Sequence, residues 1–456
     1  MGAVAGFDLA VRGGLVVRPS GSRRTNVYVR GGRVALVDDE QLPARAEIDA
    51  ADLLVLPGMV DTHVHFMDPA DPTREDFPTG SAAAACAGVT TVVEHTHARP
   101  VRTAQELREK RDYLRDRSVV DFGLAAHAWP DRLDAIAELW RAGVTYVKAF
   151  TCTTHGVPGL DAAHLLELFR RAASLGTPCL VHCEDESLTA AAEQALHTAG
   201  REDPLVVSEW RNRDAEAVAV AVTALLARRT GANAVVAHAS SVEIVDLAAR
   251  ERDAGARVLV ETCPQYLLLR EDELRDHGAF RKFTPPARAQ STADLERMWE
   301  AVADRRVHHV ASDHAPSTAA QKTSGSIWDV HFGLPGIDTT LPVLLDGAHA
   351  GRLGYERIAE AYAEAPARAY GLWPRKGALQ EGSDADLVLV DPGARWTVRD
   401  EDVRSKAGWS PFAGRTFVGR AVATYLRGEL VAEDRCAVAA AGTGRFVAGA
   451  GASGDG

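Results

Sequence analysis

Two histidines one residue apart, His63 and His65, close the apolar run 54–62. In a strand, alternate side chains share a face, so the two imidazoles can converge on one point. Such a pair could be half of a metal site; two histidines in a turn is the ordinary alternative. Further along, other short apolar runs end the same way. One ends in Glu94, His95 and His97, and others in His127, His182 and His238. Another ends near Glu261 and Thr262, and the last in Asp313 and His314, while one run carries Lys148. A single histidine at a strand end is usually a core or loop residue. Repetition along the chain makes coincidence a poor explanation. Neutral imidazole and carboxylate are the ligands that borderline divalent cations prefer, zinc above all.

Lys148 is the odd member. A protonated ammonium has no lone pair and would repel a metal ion. Burial among Val147, Ala149 and Phe150 would lower its pKa. A neutral lysine amine can add carbon dioxide and become a carbamate, an anion able to bridge two metals. The alternative is a lysine ion-paired with Asp313 or Glu261.

These residues must be positioned by something regular. The apolar runs fall at 54–65, 89–95, 121–127, 145–150, 178–182, 234–238, 257–262 and 307–312. Helical patterns follow them around 80–87, 104–117, 133–141, 162–173, 187 onward and 214–228, 242–251 and 292–304. Eight β-then-α units over about 270 residues predict a (β/α)8 TIM barrel, an α/β fold whose active sites lie at the C-terminal strand ends. A doubly wound open sheet is the weaker rival, because no Gly-x-Gly-x-x-Gly follows the first strand.

Both chain ends have another texture. Short alternating runs at 7–11, 14–17, 26–29 and 33–37 are separated by Gly13-Gly14 and Gly31-Gly32, which predicts a small antiparallel sheet with tight turns. Similar runs return at 385–391 and 420–428. Neither end can bury a core alone, so the two are paired as one small discontinuous β-sandwich domain. The expected division is 1–56 with 376–440 for the sandwich, 57–375 for the barrel, and 441–456 as a flexible, Ala/Gly-rich tail.

Composition narrows the classes. Hydrophobic residues make up 46% and charged residues 25% of the 456, ordinary for a globular chain with a sizeable core. A net charge of −12 argues against a general nucleic-acid surface. The six cysteines have no paired spacing, and reduced thiols in the cytosol are expected. Met1 to Arg12 lacks the pattern of a signal peptide, and no apolar run is long enough to cross a bilayer, so a cytoplasmic protein without membrane contact is expected.

At this point the motifs resemble a family. Pro57–Phe66 around His63-x-His65, Gly88-Val89-Thr90-Thr91, Val147-Lys148-Ala149-Phe150 and His182-Cys183-Glu184 are similar to segments of the amidohydrolase superfamily. So are His238-Ala239-Ser240-Ser241, Glu261–Leu267, Phe283-Thr284-Pro285-Pro286-Ala287-Arg288, Ser312–Pro316 and Ser410–Arg415. Within it the chain resembles the cyclic amidohydrolases: dihydroorotase, allantoinase, and dihydropyrimidinase or hydantoinase. The resemblance implies two divalent metal ions, most simply zinc. His63, His65 and Asp313 would hold the more buried ion and His182 and His238 the more exposed one. Lys148 would bridge them as N6-carboxylysine, together with a hydroxide. Asp313 would double as the catalytic base. A small cyclic amide substrate and a homodimer or homotetramer are also implied. Relatives of dihydropyrimidinase that keep the fold but have lost metal ligands make a non-catalytic scaffold the reading from another class; all six expected ligands are present here, which favours the enzyme.

Which ring is opened depends on finer positions. Dihydroorotases usually carry an arginine two residues after the second histidine, to grip a substrate carboxylate; here Met67 stands there. Arg74, Arg99 or Arg288 are the possible substitutes. Dihydropyrimidinases usually carry a tyrosine five residues beyond the lysine; here it is Thr153, next to Cys152, which fits an allantoinase pattern. His95 and His97 share a strand face where these enzymes contact substrate. Met67, His95, His97, Cys152, Thr153, Thr284, Pro285 and Gly336 are the candidate substrate contacts. The expectation is a hydrolase of a neutral cyclic ureide or imide, allantoin- or hydantoin-like, with dihydroorotase as the alternative.

Overall fold

The computed structural model describes residues 6–452. The strand Phe7–Arg18 runs through the expected Gly13-Gly14 turn without reversing. Gly13 sits at φ +67°, and the register shifts between Val11 and Gly14. This bulge inserts one residue, so Val16 rejoins the core with Leu9 and Val11. The all-antiparallel sheet expected here is corrected. Phe7–Arg18 pairs antiparallel with Gly21–Arg30, but parallel with both Ala44–Asp49 and Leu54–Pro57. Arg33–Asp38 adds antiparallel to Gly21–Arg30; the chain then crosses back over the sheet, and a crossover makes the returning strands parallel to Phe7–Arg18.

The strands Leu387–Thr397, Thr416–Leu426, Glu429–Glu433 and Cys436–Ala437 complete a nine-stranded sheet. The two chain ends meet where Leu387–Thr397 pairs antiparallel with Leu54–Pro57. Val55 joins Leu387 and Leu389 in this β-sandwich's own core, while Leu54 and Leu56 join the large core shared with the barrel.

The parallel (β/α)8 barrel starts one residue later. Its strands are Met59–Val64, Val89–Glu94, Asp121–Leu124 continued by Ala126–His127, Val147–Phe150, Cys179–His182, Ala234–Val236, Val258–Thr262 and His309–Val310. A parallel bridge from Val64 to His314 joins the first strand to the end of the last. Gly58 is the passage between the two sheets. A Cβ there would lie 2.1 Å from Thr90 Oγ1, so only glycine lets the backbones approach this closely. The covering helices begin and end where the sequence can satisfy their open backbone groups. Thr103 and Glu106 form a capping box on Ala104–Leu114, and Asp161 caps Ala162–Leu175. Gly176 and Gly231 end Ala162–Leu175 and Arg213–Thr230 in the left-handed conformation.

At the foot of the barrel, buried Lys376 pairs with Asp121 at 2.5 Å, Asp386 at 2.8 Å and Asp384 at 3.0 Å. This ties the third barrel strand to the segment leading into the sandwich. The stretch 441–452, expected as part of a flexible tail, lies against the barrel; residues 453–456 lie outside the described residues. Arg445 N–H donates to Asp121 Oδ1, Val447 N–H to Phe122 O, and Gly449 N–H to Gly143 O. Val447 is buried, and the small residues let the segment lie flat: a Cβ on Gly451 would meet Trp140 at 2.2 Å. Ala/Gly content here reflects close packing and not looseness. Among the described residues every cysteine is a free thiol, and only Cys436 is exposed.

Candidate active site and metal centre

The C-terminal strand ends converge on one cavity. It is lined by His63, His65, Lys148, His182, His238 and Asp313, among other residues. His63 and His65 share the inner face of the first strand, as the two-residue period requires. Asp313 and His238 are non-glycine residues at positive φ, +47° and +37°. Such backbone is uncommon outside glycine and tends to gather where side chains must be aimed.

The distances are short. Asp313 Oδ1 lies 3.1 Å from His63 Nε2 and 3.5 Å from His65 Nε2. Ligand atoms of His63, His238 and Asp313 all lie within 4.8 Å of one another. His182 Nδ1 is 2.9 Å from His238 Nε2, and its Nε2 is 2.7 Å from Glu184 Oε2. Lys148 Nζ is 3.4 Å from His63 Nε2.

Electrostatics follow from burial. Desolvation pushes His65 down to about 4, more than its bond to Asp313 restores, so the ring is neutral at pH 7. His238 is likewise held well below the usual histidine range by burial and the neighbouring His182. Burial lowers the Lys148 ammonium to about 8, against the opposing pull of Glu261 and Asp313. Lys148 makes no ion pair with a carboxylate among the described residues, which removes the support for a plain ion-paired lysine.

This donor set fits divalent ions. It offers several neutral imidazoles, one carboxylate, and a buried amine that a carbamate would turn into an anion. Nδ1 of His65 and Nδ1 of His238 are buried without any hydrogen-bond partner. The nitrogens of these rings that meet the centre are Nε2, 3.5 Å from Asp313 Oδ1 for His65 and 2.9 Å from His182 Nδ1 for His238.

The candidate substrate contacts separate into two groups. His97 and Thr284 line the cavity, Thr284 Oγ1 donating to Glu184 Oε2 at 2.7 Å. His95 is buried behind His63 and His65, with ring centroids 4.5 and 4.4 Å away. Met67, Cys152, Thr153, Pro285 and Gly336 are not among the lining residues. Met67 is buried, with its N–H on Thr96 Oγ1. Cys152 Sγ lies 3.1 Å from Arg211 Nη1, and Thr153 is exposed, its N–H on Glu186. Pro285 O accepts from Tyr266 Oη, and Gly336 N–H donates to His314 Nδ1.

The sequence reading missed part of the wall. Phe150, Phe283, Phe332 and His155 line the cavity, with His155 stacked on His97 at 4.1 Å. Phe332 comes from a long connection with no periodic pattern to reveal it. Tyr146 belongs to no motif, yet it stands two residues before Lys148 and so shares its face of the chain. Its hydroxyl lies 2.7 Å from His95 Nδ1.

Comparison with known proteins fits this architecture. Residues 54–431 match the amidohydrolase family. The chain is 38% identical to an allantoinase of Rubrobacter xylanophilus, over 97% of this chain and 98% of that protein. It is 39% identical to a dihydroorotase of Halobacterium salinarum, over 84% of this chain and 88% of that one. The solved structure of the L-hydantoinase (dihydropyrimidinase) from Arthrobacter aurescens aligns with a TM-score of 0.92 at 31% identity, covering 97% of this chain and 100% of that chain.

Proposed function

This chain belongs to the amidohydrolase family, and we propose that it is a binuclear metal-dependent hydrolase opening the ring amide bond of a neutral cyclic ureide or imide, allantoin- or hydantoin-like. The observation that carries this is the meeting of His63, His65, Lys148, His182, His238 and Asp313 in one cavity at the strand ends. His63, His65 and Asp313 would hold the more buried ion, and His182 and His238 the more exposed one. Lys148, as N6-carboxylysine, would serve both, with zinc the metal that this donor set suits. When bound, the ions supply Lewis acidity that polarises a ring carbonyl and lowers the pKa of water.

The chain's own groups do the rest. Asp313 meets His63 and His65 through Oδ1, which leaves its second oxygen to carry a proton. It takes that proton from the attacking water and delivers it to the departing ring nitrogen. Phe150, Phe283 and Phe332 give apolar walls that suit an uncharged ring and exclude bulk water. A buried methionine, Met67, stands where a carboxylate-gripping arginine would be expected. The same reading carries a cytoplasmic homodimer or homotetramer. Among the described residues no helix is long and apolar enough to cross a membrane.

A substrate panel tests the proposal: allantoin, hydantoin, dihydrouracil, dihydroorotate and simple cyclic imides, offered to the metal-loaded protein and scored for ring opening. A neutral ring should be the best substrate. Dihydroorotate as the best of the panel would overturn the neutral-ring reading, and no turnover of any member by protein holding two metals would overturn the hydrolase.

A further inference from the structure

His95 follows the second barrel strand and is 1% exposed. Its N–H donates to Val64 O at 3.2 Å, which seats the residue against the strand that carries His63 and His65. Its ring is held by Tyr146. The Tyr146 hydroxyl lies 2.6 Å from Thr62 O and 2.7 Å from His95 Nδ1. A hydroxyl has one proton, and a carbonyl oxygen can only accept. The proton therefore goes to Thr62 O, and His95 Nδ1 must be the donor to Tyr146. In the neutral ring this leaves Nε2 as a bare lone pair.

That lone pair has no protein partner. His95 Nε2 is buried and makes no hydrogen bond. His95 is also not among the residues lining the cavity. The ring sits among other imidazoles: its centroid is 4.5 Å from that of His63 and 4.4 Å from that of His65, and one ring nitrogen of each of the three lies within 4.8 Å of the others. The arrangement at His63 is the same in kind. Its Nδ1 is held by Glu261 at 2.6 Å, and its Nε2 is left for the centre. A hydrogen bond on one ring nitrogen that fixes the tautomer and frees the other is the usual support of a metal-ligating histidine.

We propose that His95 is a further metal ligand, a third imidazole beside His63 and His65 at the more buried position, with Tyr146 as its positioning residue. The proposal rests on the binuclear reading above. It gives this chain one more nitrogen donor than the His63, His65, His182 and His238 set.

The test uses full-length protein loaded with Co(II), whose ligating imidazoles give hyperfine-shifted, exchangeable N–H resonances. The unmutated protein should show one such resonance that His95→Ala removes. In competition with a chelator, His95→Ala should release one of its two metals at least about tenfold more readily. Tyr146→Phe should weaken the same metal by about 10–100-fold while keeping the His95 resonance, shifted in position. Added imidazole should partly restore retention in His95→Ala. Should that variant fail to fold, assignment of the shifted resonances in the unmutated protein by histidine ¹⁵N labelling still decides: a His95 resonance among them supports the ligand, and its absence overturns it. Equal retention of both metals and an unchanged set of shifted resonances in His95→Ala would also overturn it, leaving the binuclear reading intact. Unmutated protein that takes up no metal would instead sink the binuclear reading itself.

Discussion

Glu261 receives the Nδ1–H of His63 at 2.6 Å, and its other oxygen lies 3.2 Å from Nε2 of the buried His309. One carboxylate from the seventh strand thus orients an imidazole on the first. Burial opposes the charge of Glu261, but His63 and the bonds from both histidines hold it below the usual carboxylate range. Removing that charge should loosen His63 without touching the cavity wall. Glu261→Gln is expected to weaken metal binding by about 10–100-fold, read from metal retained against graded chelator. Unchanged retention would show that His63 does not depend on its partner.

On the proposed function Lys148→Ala removes the bridging group, and it should lose most bound metal and activity together. Short carboxylates that can enter the gap should restore part of both. Full metal content with full turnover in the variant would contradict a bridging role.

Asp313→Asn separates holding a metal from moving a proton. The amide oxygen can still ligate, but the side chain cannot carry a proton at neutral pH. The variant should keep much of its metal and lose about 10²–10⁴ in rate. Near-normal turnover with both metals present would place the proton elsewhere, with His314 the first residue to examine.

His308 bears on acid stability, away from the catalytic centre. Burial lowers its pKa from 6.5 to about 3, and its Nδ1 accepts the Val260 N–H at 3.0 Å. The unfolded chain binds the proton near pH 6.5, the folded chain only near pH 3. Stability from this group is therefore complete above about pH 6.5 and is lost as pH falls toward 3, by up to about 1.4 kcal/mol per pH unit. His308→Asn keeps an acceptor and cannot titrate, so its denaturation midpoint should fall less between pH 7 and pH 5 than that of the unmutated protein. Parallel falls in the two proteins would rule out this contribution.

Much of the architecture was legible because it is written in local periods. Alternating apolar runs and helical stretches specify eight β-then-α units, and the C-terminal ends of such strands are where chemistry collects. His63-x-His65 could be placed on one face from spacing alone, and Lys148 could be called buried from its neighbours. What sequence could not supply were relations between distant segments. Gly13-Gly14 reads as a turn, yet it is a bulge, since only the returning strands Ala44–Asp49 and Leu54–Pro57 hold Phe7–Arg18 straight. The Ala/Gly-rich stretch 441–452 reads as loose, yet small residues are what let it lie against Phe122, Gly143 and Trp140. Likewise, His95 and Tyr146 are 51 residues apart, and no period links them. Their tautomer-fixing bond exists because barrel closure turns side chains of the second and fourth strands into one interior, although the third strand lies between them. Residue types and local spacing determined which groups this chain could bring to a metal; three-dimensional closure alone decided which nitrogen of each faces it, because a ring's free lone pair depends on what the other nitrogen touches.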